Sequence, residues 1–520
     1  MPPTLTYPGV YIEELPSGVH TIAGVATSIA AFVGWAPQGS VSEAVLVQSW
    51  MDFARKFGGL NSQSYLGYSV NQFFANGGQQ AYIVRLVWTD AVVASTIVGG
   101  LSLWATSPGL WANNFKVVVT PVSSTAFTLQ VQDASGNTLE TFVNLTATSA
   151  IPVIDNDSQY ITFVDPNANP PAAPLSITVP TLAGTGTLGG GVDGEVLQPK
   201  DGINGNGDFE TALNIGGTLV KGALYGIRLL DRVDIFNLLC VPGETDEPTV
   251  GLLEKYCTSN LAGGSNPKAF GSFYIVDCPQ IATFDNLNLN GPIGAAVAKL
   301  PNVNSDHGAY YFPWLQANDP LAGNRPRLFP PCGFIAGIYA ATDATRGVWK
   351  APAGIDAGLA GESGLQYVLT DLENGSLNIQ AINCLRQFKV YGDVVWGART
   401  LQGSNQAASQ WKYIPIRRMA LFLEASLFEG TQWVVFEPND EKLWSQIRLN
   451  VGAFMQDLFL KGAFQGTTPQ KAYFVKCDGE NNPQSSINQG IVNILVGFAP
   501  LYPAEFVVIQ IQQMAGQLQP

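Results

Sequence analysis

Two hydrophobic periods alternate along most of the chain, and together they predict an α/β protein. Short continuous apolar runs at 29–33, 45–47 and 82–87 read as buried strands. Between them, Ser49 precedes Trp50, Phe53, Ala54 and Phe57, which fall on one helical face before Gly58. A second helix is expected over 65–75, ending at Gly77-Gly78. From 91 to 200 the pattern shifts to Thr, Val, Ser and Gly in short alternating segments. There 127–131 and 139–145 flank the turn Asp133-Ala134-Ser135-Gly136-Asn137, so a hairpin in a β-rich insertion is predicted.

From 201 to 360 apolar runs at 235–241, 273–276 and 309–312 alternate with helical spacing, the pattern of βαβ units around a mostly parallel sheet. Further on, helices are expected over 377–388 and 418–428, with a strand over 433–436. The strongest helical signal follows Asn439 as the expected N-cap and carries Leu443, Ile447, Val451, Phe454 and Leu458 on one face. Lys461-Gly462 close it. Strand-like runs at 491–498 and 504–511 take the chain almost to its end. The first 26 residues differ from everything after them. Pro2, Pro3, Pro8 and Pro16 restrict the backbone, and Val10, Tyr11, Ile12 and Glu13 form one short strand with no hairpin mate nearby.

Composition narrows the functions available. The 520 residues are 46% hydrophobic and only 13% charged, which suits several packed domains. A net charge of −14 argues against wrapping nucleic acid. Charge is uneven: residues 91–380 hold 12 basic and 25 acidic side chains, whereas 381–476 hold 11 and 7. Such a basic region either faces solvent or meets an acidic partner. The six cysteines form no C-x-x-C pair and read as buried thiols of a protein made in a reducing compartment. The first basic residue is Arg55 and no early apolar run precedes it in the manner of a leader, so no secretory signal is expected. The most apolar stretch, 491–511, is interrupted by Asn493, Pro500, Pro503 and Glu505, which argues against direct membrane insertion.

Catalytic, cofactor and metal sites are not expected. The string Gly184-Thr185-Gly186-Thr187-Leu188-Gly189 fits G-x-G-x-x-G, but further glycines follow it where a dinucleotide site needs a helix, so it reads as a linker loop. Of two histidines, His20 lies in the proline-rich arm and His307 in a polar run, Asn304 to Gly308, that reads as a surface turn. There is no G-x-S-x-G, H-E-x-x-H or Walker A sequence. Arg417 and Arg418 sit at a helix start, where cations oppose the dipole, and this calls for partner carboxylates within the chain or on a neighbour.

Two segments carry a resemblance. Tyr7-Pro8-Gly9-Val10-Tyr11-Ile12-Glu13-Glu14, with Thr27-Ser28-Ile29-Ala30-Ala31-Phe32-Val33-Gly34, resembles the N-terminus of contractile tail sheath proteins. The stretch from Tyr413-Ile414-Pro415-Ile416-Arg417-Arg418 through Phe436-Glu437-Pro438-Asn439-Asp440 to Leu443-Trp444 is similar to their C-terminal domain. The resemblance implies a non-enzymatic subunit that polymerises with itself into a helical array around an inner tube protein. Baseplate and tail-terminator or cap proteins would be further partners, in a phage tail or phage-tail-like particle assembled in the bacterial cytoplasm. It also implies an α/β multidomain fold. Residues 1–26 would be an N-terminal extended arm and 27–90 the N-terminal part of an inner domain built from both chain ends. The β-rich outer insertion would span 91–200 and a non-catalytic, subtilisin-like α/β domain 201–360. The inner C-terminal domain would occupy 361–503, and a strand or arm 504–520.

In the family, terminal arms add strands to sheets of neighbouring subunits. The resemblance gives that role to Val10, Tyr11, Ile12 and Glu13 and to Phe506, Val507, Val508 and Ile509. Lys442, Arg448 and Lys461 on the long helix are the expected tube contacts. Two other readings stay open on sequence: a hydrolase of subtilisin-like architecture, and a baseplate component with a sheath-like domain.

Overall fold

The computed structural model describes residues 20–165, 172–174, 176–205, 207–214, 225–258, 272–290 and 305–510. The chain divides into two compact units, Ala26–Arg418 and the pair Met1–Val25 with Met419–Pro520.

The unit Ala26–Arg418 is organised by an eight-stranded sheet. Its strands in chain order are β1 (Ala30–Trp35), β2 (Val45–Val47), β3 (Ala81–Leu86), β4 (Leu238–Cys240), β5 (Phe273–Asp277), β6 (Gly308–Phe312), β7 (Ile382–Phe388) and β8 (Gly392–Val395). Their spatial order is β8-β7-β6-β5-β4-β1-β3-β2. The six inner strands run parallel, while β2 and β8 close the edges antiparallel. Every residue of β1, β5 and β6 is buried, as parallel strands covered on both faces require. The strands of 27–90 thus share one sheet with those of 201–360 and with β7 and β8 from 361–503, and the core of that sheet draws on all three segments.

Local chemistry fixes the helices around this sheet. In the helix Trp50–Phe57 the Ser49 side chain accepts from the Asp52 N–H, and Gly58 at φ 86 donates its N–H to the Ala54 carbonyl. The helices Leu66–Ala75 and Cys332–Arg346 approach closely because two glycines lie between them. A Cβ on Gly333 would sit 2.4 Å from the Ser69 carbonyl oxygen, and one on Gly337 2.5 Å from the Asn76 Cβ. Arg85, on β3, is buried and donates to the carbonyls of Ala36, Pro37, Gly39 and Pro108. It thereby ties the end of the sheet to the entrance of the β-rich segment.

That segment has its own core, including Leu103, Val117, Val119, Phe127, Leu129, Val131 and Ile161. The predicted hairpin is present as Phe127–Gln132 paired with Thr138–Leu145. Its turn is held by the Asn137 N–H donating to Asp133 Oδ1 at 2.8 Å, with Gly136 at φ 90. The glycine run expected to be a linker loop is in part a strand. Gly184–Thr187 pairs with Lys116–Pro121, and Gly186 packs so closely on a strand of another sheet, Ser95–Val98, that a Cβ would lie 2.6 Å from Thr96 Oγ1.

A further correction concerns 377–388, where a helix is expected. Helix Asp371–Asn378 ends there, Ala381 turns the chain at φ 68, and 382–388 is β7.

In the unit formed by Met1–Val25 and Met419–Pro520, residues 20–25 are packed and not free. His20 stacks on Trp433 at 4.2 Å and its N–H donates to Asn450 Oδ1, while the Val25 N–H donates to Ser426 Oγ. The long helix Glu441–Leu460 begins one residue later than predicted. Asp440 is the N-cap, accepting from the Leu443 N–H, and Asn439 instead accepts from the Trp444 indole. Gly462, at φ 75, follows its end. The strand expected over 433–436 is a 3-10 turn, Gln432–Val434, after which Phe436 adopts φ 71. Of the run 491–498 only Leu495–Phe498 is extended in a sheet, paired with Tyr473–Lys476 as a two-stranded hairpin. Residues 504–510 join no sheet, and residue 511 lies outside the described residues. No described helix is long and apolar enough to cross a membrane.

Candidate assembly surface

The His307 and Arg418 side chains inside Ala26–Arg418 are engaged in holding the fold. His307, expected in a surface turn, is 3% exposed. Its Nδ1 lies 2.7 Å from Asp306 Oδ1 and its Nε2 2.8 Å from Arg417 Nη2. A guanidinium only donates, so Nε2 is an acceptor and Nδ1 carries the hydrogen. With both ring nitrogens engaged, the nearby Ser305 hydroxyl instead accepts from the His307 backbone N–H. Burial alone would raise the Asp306 carboxyl, but the His307 hydrogen bond and the Arg417 charge outweigh it and hold it below the usual range. Arg417 also lies over the Trp411 ring at 4.8 Å.

Arg418 is paired just as fully. Its guanidinium meets Asp343 at 2.9 and 2.6 Å, donates to the Thr27 carbonyl at 2.8 Å and covers the Tyr339 ring at 4.7 Å. Both arginines singled out in the sequence therefore find their carboxylates within the chain. All six cysteines are buried and unpaired. No group of His, Cys, Asp or Glu among the described residues could hold a metal ion.

Unspent binding capacity lies on the unit of Met419–Pro520. The hairpin of Tyr473–Lys476 and Leu495–Phe498 has only two strands, too few for a stable sheet in isolation, and it exposes Phe474 and Leu495. Each strand has one edge with no strand beside it among the described residues. Beyond it, Phe506, Val507, Val508 and Ile509 are 74–81% exposed in a run that joins no sheet. Phe436 stands wholly exposed on its positive-φ turn beside the exposed Val435. This exposure is not legible in the sequence, where the same residues read as a strand. Apolar exposure on this scale marks an interaction surface. Val10, Tyr11, Ile12 and Glu13 lie outside the described residues.

The three basic residues expected on the tube do not share a face. Around a regular helix Lys442, Arg448 and Lys461 are separated by about 100–140°. Arg448 is engaged locally by Glu441 at 2.6 Å, by Ser445 and by the Cys477 carbonyl. Lys461 pairs with Asp457 at 2.7 Å in an exposed contact. Lys442 is exposed, with no ion-pair partner among the described residues.

Residues 406–514 match the family described as phage tail sheath C-terminal domain. The tail sheath protein of Vibrio phage KVP40 is 29% identical over 211 residues, which is 39% of this chain and 29% of that protein. A Pseudomonas aeruginosa (strain UCBPP-PA14) protein, provisionally named a prophage major tail sheath protein, is 28% identical over 304 residues. That match covers 56% of this chain and 69% of the relative. The match thus spans less than a third of the length of the phage relative. The PVC sheath of an extracellular contractile injection system, solved in its contracted state, shares the fold with a TM-score of 0.57 and 23% identity, over 98% of this chain and 99% of that one. Residues 406–514 thus match the phage tail sheath C-terminal domain, and the chain is similar in sequence to tail sheath proteins and in fold to a contractile sheath along nearly its whole length.

Proposed function

We propose that this chain is the structural subunit of a contractile sheath. It polymerises helically around an inner tube and contracts to drive the tube through a target envelope. The observation that carries this reading is the unfinished hairpin of Tyr473–Lys476 and Leu495–Phe498, together with the exposed apolar run at 506–509 in the same unit. A sheet with open edges and a loose apolar strand are complementary halves of one joint when the two belong to different subunits. Val10, Tyr11, Ile12 and Glu13 supply a second such strand, and both chain ends meet in the tube-facing unit. The mainly parallel sheet supports a subtilisin-like framework for 201–360 that performs no catalysis, and its one buried histidine is tied up by Asp306 and Arg417. The β-rich segment is the outward insertion.

The partners are further copies of the chain, an acidic inner tube, the baseplate and a tail-terminating cap. Synthesis in a reducing cytoplasm agrees with six unpaired thiols. On contraction the arms act as hinges while folded units move nearly as rigid bodies. Deleting residues 1–19 tests the joint. The shortened chain is expected to remain folded and monomeric, and normal cylinders from it would refute the strand-exchange assignment.

A further inference from the structure

The two strands of the C-terminal hairpin, Tyr473–Lys476 and Leu495–Phe498, are joined by residues 477–494, where a tight turn would use about two to five. A connection of that length leaves the register open, and three asparagine side chains close it. The Asn482 amide meets the Asn493 backbone as a partner strand would, accepting from its N–H at 2.6 Å and donating to its carbonyl at 3.1 Å. Asn481 donates to the same carbonyl at 2.8 Å and to the Lys476 carbonyl at 3.1 Å, so one amide joins both ends of the connection. Asn493 returns a bond from its Nδ2 to the Asn481 carbonyl at 3.0 Å. Asn482 is 2% exposed, so water does not readily replace its bonds. Asn439, just before the long helix, donates to the Ile491 carbonyl at 3.0 Å, and Arg448, within that helix, to the Cys477 carbonyl.

Register decides what the hairpin offers at its edges. Tyr473 lies opposite Phe498, and in the next pair the Ala499 N–H donates to the Ala472 carbonyl at 2.8 Å. In an antiparallel ladder such pairs alternate, so Phe474–Gly497 and Lys476–Leu495 exchange hydrogen bonds with each other. The backbone groups of Tyr473, Val475, Val496 and Phe498 then point outward, two residues on each edge. A slip of one residue would turn the N–H and C=O groups of one strand the other way. It would also move Phe474 from its place over Gly497, where a Cβ would meet the ring.

We propose that Asn482, with Asn481 and Asn493, is the positioning element of the subunit joint. It fixes the register of the hairpin and thereby the order of N–H and C=O groups that a strand from a second copy of the chain would meet. This rests on the reading that the hairpin takes up such strands. A hairpin set in register beforehand binds more tightly than one that has to find its register on docking, because the ordering is complete before the strand arrives.

Asn482→Ala removes both bonds to Asn493, and Asn482→Asp keeps the acceptor but sets an oxygen against the Asn493 and Asp478 carbonyls. In the depolymerised full chain, hydrogen exchange at Phe474, Lys476, Leu495 and Gly497 should lose about tenfold in protection in either variant, with the helix Glu441–Leu460 unchanged. The critical concentration for cylinders on the tube protein should rise about tenfold or more. Adding Val475→Cys and Val496→Cys tests positioning itself, because the Cα atoms of a pair that exchanges no hydrogen bonds lie about 4.5 Å apart, within disulfide range. The closed disulfide in Asn482→Ala should restore the critical concentration to that of the same cysteine pair with Asn482 intact, and a reducing agent should undo the rescue. Unchanged hairpin protection, an unchanged critical concentration, or a closed disulfide that restores nothing overturns the positioning role while leaving the sheath reading standing. An unaltered chain that forms no cylinders on its tube overturns the sheath reading, and this inference with it.

Discussion

Replacing Phe506 and Val508 together by alanine should block assembly without touching the fold. In an extended segment these two side chains point to the same face, and they are 74% and 81% exposed, so almost none of their burial energy is used within the chain. Burying a large apolar side chain contributes about 1.5–3 kcal/mol. If both insert against a neighbour's hairpin, the double variant loses about 3–6 kcal/mol per joint, a factor of about 10²–10⁴ in the association constant. Sedimentation across a dilution series would report this as a rise in the critical concentration for polymerisation. Thermal unfolding of the depolymerised chain should shift little, since exposed substitutions usually stay within about 0.5 kcal/mol. An unchanged critical concentration would show that this face is not buried in the polymer. A large loss of monomer stability would show that the run packs within its own chain.

Three other perturbations probe separate parts of the account. Asp343→Ala strands the buried Arg418 guanidinium and should cost about 3–5 kcal/mol in denaturant unfolding, and a cost below about 1 kcal/mol would mean the pair is not buried. Burial raises the Glu254 carboxyl to about 9 and that of Asp277 to about 7, so both favour the folded state when protonated. Their contribution is greatest below about pH 4 and falls as pH rises through about 7 and 9, so Tm should decline over that window, less steeply in Glu254→Gln. A Tm that climbs from pH 6 to pH 9 would contradict this. Lys442→Glu should weaken assembly on the tube in a salt-dependent way, whereas Arg448→Glu should also destabilise its own unit, because Arg448 holds Glu441 and the Cys477 carbonyl. Equal tube-templated assembly of Lys442→Glu and the unaltered chain would remove that contact.

What could be read from the sequence was whatever is decided locally. The helix Trp50–Phe57 announces itself by its cap, its face and its terminal glycine, and the 127–145 hairpin by the Asp133–Asn137 turn. Strands such as β1 and β6 are legible because burial on both faces leaves an uninterrupted apolar run. Misreadings arise where a distant partner decides. Ile382, Leu385 and Phe388 recur every third residue, a helical spacing, yet pairing with β6 and β8 makes them a strand. His307 sits among polar neighbours in sequence, and only the fold brings Arg417 to it.

At the C-terminal end only strand-like runs are legible: Leu495–Phe498 is a strand, residues 504–510 join no sheet, and nothing in the sequence points to the pairing strand Tyr473–Lys476 or to the exposure of Phe436. Lys442, Arg448 and Lys461 came from regional charge and not from periodicity, which is why they point in different directions.

The central claim is helical self-assembly, and electron microscopy of the purified chain mixed with its cognate tube protein tests it most directly. Hollow, ridged cylinders sheathing the tube are expected, with density joining the 506–509 segment of one subunit to the hairpin of another. Tubes that remain bare beside uniform small particles of the full-length chain would contradict it.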